Sequence, residues 1–312
     1  MKNIPACAAW IAHAIAALIV CVSSLANAYA HADFTFAAFG DTPYTEDEEG
    51  RFVSMIAEIN REPLAFALHV GDFKSGWSPC TDALFNQRRD WFAFFRHPLI
   101  YTPGDNEWTD CWRGVRAFGT TRDPLERLQK LRSLFFADPY SLGQRSIALA
   151  RQSAAYPEHA RWEHEGILFA TLNIPGSSNN VSMSEEFAAR SKAADAWITI
   201  TFATARARAH RAVVVVMHAN PWTAGGAVGP SYTGVMAAIT RETSNFKGEV
   251  LLIHGDTHHY RVDQPLFDAE STQIVRNFTR IEVFGYPFMN WVRVQVSERN
   301  GKTNFSASPG SP

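Results

Sequence analysis

Five apolar runs of this chain each end in an acid or a histidine, the residue types best suited to chemistry here. The side chains that follow these runs are Asp41, Asp72, Asp105, His218 and the pair Asp256 and His258. Carboxylate oxygens and imidazole nitrogens are common ligands of hard and borderline metal ions. The third run also breaks at Pro103-Gly104 and then delivers Asn106 and Glu107 directly after Asp105, which adds an amide and a further acid.

Four of these side chains are carboxylates, and their charge constrains how they can be brought together. Like charges a few Å apart repel by kcal/mol amounts unless cations lie between them. Four carboxylates and two imidazoles are enough ligands for two metal ions that share one Asp. A single Gly-Asp is more often a surface turn, so the prediction of a metal site depends on the recurrence of the pattern.

The elements that must position these residues alternate between strand and helix patterns. Strands are predicted at Asp33–Phe39, Leu64–Val70, Pro98–Tyr101, several places within Ser146–Pro175, Ala212–Met217, Glu249–Ile253 and two places within Phe278–Ser297. Helices are predicted at Glu46–Asn60, Thr81–Arg96, Asp123–Phe136 and Ser184–His210. The alternation favours an α/β fold, in which ligands collect beyond the carboxyl ends of strands. The polar run Asn173–Asn180 is a candidate rim of the site.

Length and composition indicate a folded domain with a large core. The chain has 312 residues, of which 46% are hydrophobic and 19% charged, so disorder is not expected. The formal net charge of −2 argues against a nucleic-acid or anionic-membrane partner that needs a basic surface. No linker or repeat interrupts residues 31–312, which we interpret as one domain.

The first thirty residues resemble a secretory signal peptide that is removed from the mature protein. Lys2 precedes the apolar run Ala6–Val22, and overlapping A-x-A patterns end at Ala28, Ala30 and Ala32. Two alternatives stay open: an uncleaved membrane anchor, which His13 would interrupt, and a lipoprotein signal at Cys21, where Val20 is not small. With cleavage near residue 30, we expect a periplasmic or extracellular protein without stable membrane insertion.

The mature chain keeps only Cys80 and Cys111. Two cysteines in an exported protein favour a disulfide, and two unpaired thiols are the alternative. Cys80 follows Asp72 closely and Cys111 follows Asp105 closely, so the bond would join two loops of the candidate site.

The ordered motifs from Asp41 to His258 resemble the calcineurin-like metallophosphoesterase family, which includes purple acid phosphatases. The family order is an Asp after the first strand, then GD, GN-H-D/E, a lone His after an apolar strand, and GH-x-H. The resemblance implies two stacked mixed β-sheets flanked by helices, and a hydroxide between two metals that attacks a small phosphorylated substrate. It implies a first ion held by Asp41, Asp72 and His258 and a second held by Asp105, His218 and Asp256, with Asp72 bridging.

Three motifs depart from the family pattern. Pro43 stands where the first motif usually offers a second ligand, so Tyr44, Thr42 or a water would have to compensate. Asp105 replaces the usual Asn ligand, and Asp256 replaces the first His of the last motif. The added acids make the site less cationic, unless Lys74 or Arg113 lies nearby or one ion is trivalent. The pattern allows two divalent ions, or one trivalent and one divalent, and does not distinguish Mn, Fe, Zn, Mg and Ca.

The predicted catalytic residues are Asn106 and Glu107. Asn106 stands where the family has a His, and an amide donates hydrogen bonds but is not a general acid. Slow turnover of poor leaving groups is therefore expected. Glu107 is interpreted as positioning Asn106 or a metal ligand, or as capping the next turn. A metal-binding but catalytically silent scaffold is the alternative function; P-loop, dinucleotide-binding and serine-hydrolase motifs are not found in the sequence.

Overall fold

Twelve strands form two central sheets in the computed structural model, which describes residues 31–113, 123–268 and 273–310. The strands are β1 (Phe34–Phe39), β2 (Ala67–His69), β3 (Leu99–Tyr101), β4 (Ala150–Ser153), β5 (Tyr156–His164), β6 (Ile167–Thr171), β7 (Ala212–Val216), β8 (Glu249–His254), β9 (Arg261–Asp263), β10 (Phe278–Glu282), β11 (Val292–Arg299) and β12 (Lys302–Pro309). The predicted signal peptide lies outside the described residues. Among those described, no helix has both the length and the apolar character needed to cross a bilayer.

Both sheets mix parallel and antiparallel pairs. The five-stranded sheet has the order β12-β11-β1-β2-β3, and its strands β1, β2 and β3 are parallel. The seven-stranded sheet has the order β4-β5-β6-β7-β8-β10-β9, and its strands β6, β7, β8 and β10 are parallel. Parallel neighbours end at the same edge of a sheet, so the loops after β1 to β3 and after β7 and β8 form two clusters.

Within the described residues, five helices cover the outer faces of the two sheets. They are α1 (Glu46–Arg61), α2 (Asp82–Phe92), α3 (Pro124–Phe135), α4 (Ser184–Ala207) and α5 (Thr233–Ser244). The first three begin at capping residues that accept backbone N–H groups of the first turn, namely Thr45, Thr81 and Asp123. Such caps satisfy donors that the helix itself leaves without partners.

The buried side chains separate into three layers that set the architecture. Phe36 of β1 and Val214 of β7 share the layer between the sheets. Phe39 of β1 packs outward against α1 to α3, and Val213 of β7 packs outward against α4 and α5. Successive strand residues point to opposite faces, so a sheet buried on both sides requires continuous apolar runs. The predicted fold of two stacked mixed sheets flanked by helices is confirmed.

Element boundaries differ from the predictions mainly at the ends. The strand predicted at Leu64–Val70 pairs only over Ala67–His69, and the helix predicted at Ser184–His210 ends at Ala207. Helix α5 and strands β9 and β12 were not predicted. No side-chain cap precedes α5, and β12 is a polar edge strand paired only with β11, so neither carries a strong local signal.

Candidate metal centre

The six residues predicted as metal ligands lie together where the parallel strands of both sheets end. The His218 ring nitrogen Nδ1 lies 2.8 Å from the Val70 carbonyl, which joins the end of β7 to the end of β2. The Asp256 backbone N–H donates to both oxygens of Asp41, each at 3.1 Å, and joins the end of β8 to the end of β1. The side chains predicted from the strand ends therefore lie close together in the folded chain.

The backbone at this edge is strained in a way that is typical of functional sites. Asp41, Asp72, Asp256 and His258 have φ angles of 53°, 58°, 79° and 62°. The left-handed region is uncommon for residues other than glycine, and residues held there cluster at active and ligand sites. Four of the six candidate ligands share this conformation.

Two groups of ligand atoms lie close enough to hold an ion, within 4.8 Å of one another, among the described residues. One group is Asp41, Asp72 and His218, and the other is Asp105, His218 and Asp256. The His218 nitrogen Nε2 lies 2.9 Å from Asp105 Oδ1, 3.5 Å from Asp72 Oδ1 and 3.9 Å from Asp256 Oδ1. The second group is the ligand set predicted for the second ion. His218 also lies in the first group, for which His258 was the predicted histidine.

His258 joins the first group from its partly exposed side. Its Nε2 lies 3.5 Å from Asp41 Oδ1 and 3.4 Å from the Tyr44 hydroxyl. The same hydroxyl donates to Asp72 Oδ2 at 2.9 Å. The Tyr44 hydroxyl thus lies beside the first group, next to Pro43, which offers no side-chain ligand.

The two histidines are oriented as metal ligands are. A carbonyl oxygen can only accept a hydrogen bond, so the nitrogen that faces it carries the proton. His218 Nδ1 faces the Val70 carbonyl and His258 Nδ1 faces the Tyr286 carbonyl, both at 2.8 Å. This leaves Nε2 of each ring directed at the carboxylates, the arrangement by which protein carbonyls fix metal-binding imidazoles. The donor set therefore fits hard or borderline cations.

Close backbone approach keeps the space around the carboxylates small. A Cβ on Gly104 would lie 2.0 Å from Asp72 Oδ1, and one on Gly176 would lie 2.4 Å from Asp256 Oδ1 and 2.6 Å from Asp105 Oδ1. A Cβ on Gly104 would also lie 2.6 Å from the Asp72 backbone nitrogen, so this position requires glycine, whereas a side chain at Gly176 would displace the two carboxylates.

Burial makes two of the grouped acids, Asp72 and Asp256, hard to ionise without a cation, whereas the hydrogen bond and charge of His218 outweigh burial at Asp105 and lower its pKa. Burial raises the pKa of Asp72 to about 6 and that of Asp256 to about 7, although His218 opposes both shifts. Burial would lower the pKa of His218, but the charges of Asp72 and Asp105 outweigh it and raise that pKa well above its usual value. The cluster holds protons that a metal ion would displace.

Asn106 and Glu107 occupy different levels of the site. The Asn106 side-chain amide donates to Asp72 Oδ2 and, at 3.1 Å, to the Tyr44 hydroxyl, so it lies among the candidate ligands. Glu107 is fully buried beneath them and accepts the backbone N–H groups of Asp72 at 3.1 Å and Gly104 at 2.8 Å. These contacts indicate that Glu107 holds the Asp72 loop in place, which was one of its predicted roles.

The polar loop predicted as a rim forms a left-handed turn, Gly176–Asn179, over the second group. Its Ser177 hydroxyl lies 2.6 Å from Asp105 Oδ2 and 2.9 Å from Asp110 Oδ2. Arg190, fully buried in α4, holds the turn from below through Asn179, with Nη1 2.6 Å from Oδ1 and Nη2 2.8 Å from the carbonyl. The predicted rim loop includes Ser177 without singling it out, and Asp110 and Arg190 were not predicted. The available signals were the density of polar residues in the loop and the acid five positions after Asp105.

The predicted disulfide is present between Cys80 and Cys111, whose Cα atoms are 5.7 Å apart. It joins the segment after Asp72 to the 3-10 turn Thr109–Arg113, which follows Asp105. Two loops that carry candidate ligands are therefore linked covalently.

Two solved structures share this fold over 89% of the chain. PhoD matches with a TM-score of 0.50 and 9% sequence identity, and the match covers 68% of the PhoD chain. Purple acid phosphatase PPD1 from yellow lupin (Lupinus luteus) seeds matches with a TM-score of 0.52 and 12% identity. The chain spans about half the length of that phosphatase, 52% of it. At these identities the likeness shows the fold, which is the fold implied by the metallophosphoesterase resemblance.

No protein-family model matches the chain, and no curated protein matches it in sequence.

Proposed function

We propose that this protein is an exported, metal-dependent phosphoester hydrolase with two metal ions. The observation that carries the proposal is the orientation of His218 and His258, whose Nε2 atoms both face the carboxylates while Nδ1 is bonded to a backbone carbonyl. The fold shared with PhoD and with a purple acid phosphatase supports it.

The two ions would be held by overlapping parts of the cluster. The first would be held by Asp41, Asp72 and His258 and the second by Asp105, His218 and Asp256, with Asp72 between them. When bound, such ions supply Lewis acidity: they acidify water and offset negative charge on phosphoryl oxygens. Mn, Fe, Zn, Mg and Ca all stay open, as does a mixed trivalent and divalent pair.

The protein's own groups would orient the substrate. The Asn106 amide, which now donates to Asp72 Oδ2, is placed to donate a hydrogen bond to a phosphoryl or leaving-group oxygen. It cannot give up a proton, so the leaving group must depart as an anion or take a proton from water. Glu107 would keep the Asp72 loop in place by accepting the backbone N–H groups of Asp72 and Gly104.

The disulfide supports a location outside the cytoplasm. Disulfides form and persist mainly outside the cytoplasm, and Cys80 and Cys111 are bonded. With the predicted cleavage near residue 30, we place the mature enzyme in the periplasm or outside the cell, acting on a small phosphorylated substrate.

A catalytically silent metal-binding scaffold is the second candidate function. Pro43 and Asn106 favour it, because each stands where the related family carries a functional histidine. Such a protein would bind metal through the same cluster and would show no turnover.

The deciding experiment measures metal content and hydrolysis of p-nitrophenyl phosphate and its bis-ester on the same protein. The hydrolase predicts metal-dependent turnover that Asp72→Ala abolishes. Asp195→Ala is the matched control, since this exposed acid on α4 pairs with Arg241, which is also exposed. Bound metal without turnover of either ester would instead identify the scaffold.

A further inference from the structure

Lys74 and Arg113 both lie near the grouped acids, and they differ in access to a substrate. Lys74 is 1% exposed, and its Nζ donates to the Ser75 carbonyl at 2.9 Å. Its charge faces Glu107 and Asp72 from inside the protein, so it offsets carboxylates but cannot reach a ligand in the mouth of the site.

Arg113 lies at that mouth and is held in a fixed position. Its Nη1 is 2.7 Å from Asp110 Oδ2, and its Nη2 donates to the Ser177 hydroxyl at 3.2 Å. The Arg113 side chain is 33% exposed while that of Asp110 is 2% exposed, so a buried acid anchors an arginine that stays open to solvent.

The Arg113 guanidinium also lies close to the second group of candidate metal ligands. The Ser177 oxygen that it contacts lies 2.6 Å from Asp105 Oδ2, so a single hydroxyl separates Arg113 from a candidate metal ligand. On its other side, a Cβ on Gly76 would lie 3.3 Å from Arg113 Nη1 and 2.7 Å from Asn106 Oδ1. The absence of a side chain at Gly76 leaves open the space that Arg113 and Asn106 share.

We propose that Arg113 binds an unesterified phosphoryl oxygen of the substrate and makes phosphomonoesters the preferred substrate class. This inference rests on the proposed function and deepens it. Arg113 supplies a positive charge that a substrate can reach, because Lys74 is buried, four acids occupy the metal groups and Asn106 replaces a histidine.

The preference follows from the charges of the two ester classes. A monoester has one more free oxygen and one more negative charge near neutral pH than a diester has. Guanidinium pairs with such oxygens through charge-assisted hydrogen bonds in a fixed planar geometry. The additional oxygen of the monoester is therefore the feature that Arg113 recognises and that a diester cannot present.

The test compares Arg113→Met and Arg113→Lys with the wild-type protein. Arg208→Met is the control, because Arg208 is a more exposed arginine paired with Glu163 on the surface. For Arg113→Met we expect kcat/KM for p-nitrophenyl phosphate to fall about 10- to 100-fold, as the loss of one charged hydrogen bond predicts. The value for the bis-ester should change by less than about threefold, and Arg113→Lys should be intermediate for the monoester.

A binding measurement removes the dependence on turnover. Titration of metal-loaded protein with inorganic phosphate should show affinity weakened by about tenfold or more in Arg113→Met, with metal content unchanged. Equal losses for both esters, unchanged phosphate affinity or a loss of bound metal would each overturn the inference and leave the hydrolase intact. If the wild-type protein hydrolyses neither ester, the proposed function fails and this inference fails with it.

Discussion

The Ser177 hydroxyl lies 2.6 Å from Asp105 Oδ2, while the other Asp105 oxygen lies 2.9 Å from His218 Nε2. One oxygen of this carboxylate is thus occupied by the rim of the site and the other faces the cluster. Hydrogen bonds from neighbouring groups orient ligating carboxylates and are costly to remove. Ser177 would therefore position Asp105 for the proposed second ion.

Substitution of this serine is predicted to weaken the second ion selectively. We expect Ser177→Ala to lower its affinity about 10- to 100-fold without changing the first, because Asp105 loses its outer partner. Isothermal titration with Mn²⁺ on chelated and dialysed protein measures both steps. Ser178→Ala, at the exposed neighbouring position of the same turn, is the control and should titrate as the wild type does. Equal weakening in both variants would assign the effect to the turn rather than to the hydroxyl.

Replacing Asn106 by histidine is predicted to restore general-acid catalysis. A group that protonates the leaving oxygen contributes roughly 10²- to 10⁴-fold, most for poorly acidic leaving groups. We expect Asn106→His to accelerate phenyl phosphate hydrolysis more than p-nitrophenyl phosphate hydrolysis. A series of substituted phenyl phosphates measures this as a shallower dependence of rate on leaving-group pKa. The same slope in both proteins would show that leaving-group protonation is not what position 106 controls.

Breaking the disulfide is predicted to destabilise the loops that carry Asp72 and Asp105. The bond links residues 31 positions apart. In the chain-entropy model, a loop of this length contributes about 3–4 kcal/mol to the free energy of unfolding. We expect the double variant Cys80→Ser, Cys111→Ser to lose about that amount in urea denaturation, with weaker metal binding as well. A reductant should reproduce the loss in the wild type and have no effect on the double variant.

Stabilisation by metal is predicted to increase with pH. Burial raises the pKa of Asp256 to about 7 and that of Asp72 to about 6, so the folded metal-free protein binds these protons more tightly than the unfolded chain does. That contribution to stability is present at low pH and is lost as pH rises through the folded pKa values. Because metal binding competes with the same protons, its stabilising effect should grow as they leave.

The measurement is the difference in Tm between metal-loaded and chelated protein at several pH values from 5 to 8. Taking the difference cancels the pH-dependent contribution that buried histidines away from the cluster make to Tm. His159 is one of these, and burial lowers its pKa to about 4. A difference that is the same at every pH would show that Asp72 and Asp256 do not exchange protons for metal.

The sequence predicted the strand ends well because one short-range rule governs them. Apolar runs that end in Gly-Asp mark buried strands followed by tight turns, and Asp41, Asp72 and Asp105 follow neighbouring parallel strands as that rule requires. The rule says which side chains share an edge of a sheet. It does not give the distances between ligand atoms. Only the structure therefore shows that His218 lies close to the carboxylates of both groups.

The position of the rim was predicted from its polar residues, but its conformation could not be predicted from local patterns. The left-handed turn at Ser177 is held by Arg190 from α4, and Arg190 also lies over the ring of Trp108 at 5.6 Å. Such a conformation is unfavourable for residues with a Cβ and persists only where the surrounding contacts hold it. Its form therefore depends on residues distant in the chain, which no local spacing records.

The most direct test of the account is the metal content of protein reconstituted with Mn²⁺ or Zn²⁺ and separated from free metal. We predict about two ions per chain in the wild type, as four carboxylates and two imidazoles allow, and at most about one in Asp72→Asn. Asp195→Asn should retain the wild-type content. Absence of tightly bound metal in the wild type, or an unchanged content in Asp72→Asn, would contradict the claim that these side chains form a shared metal centre.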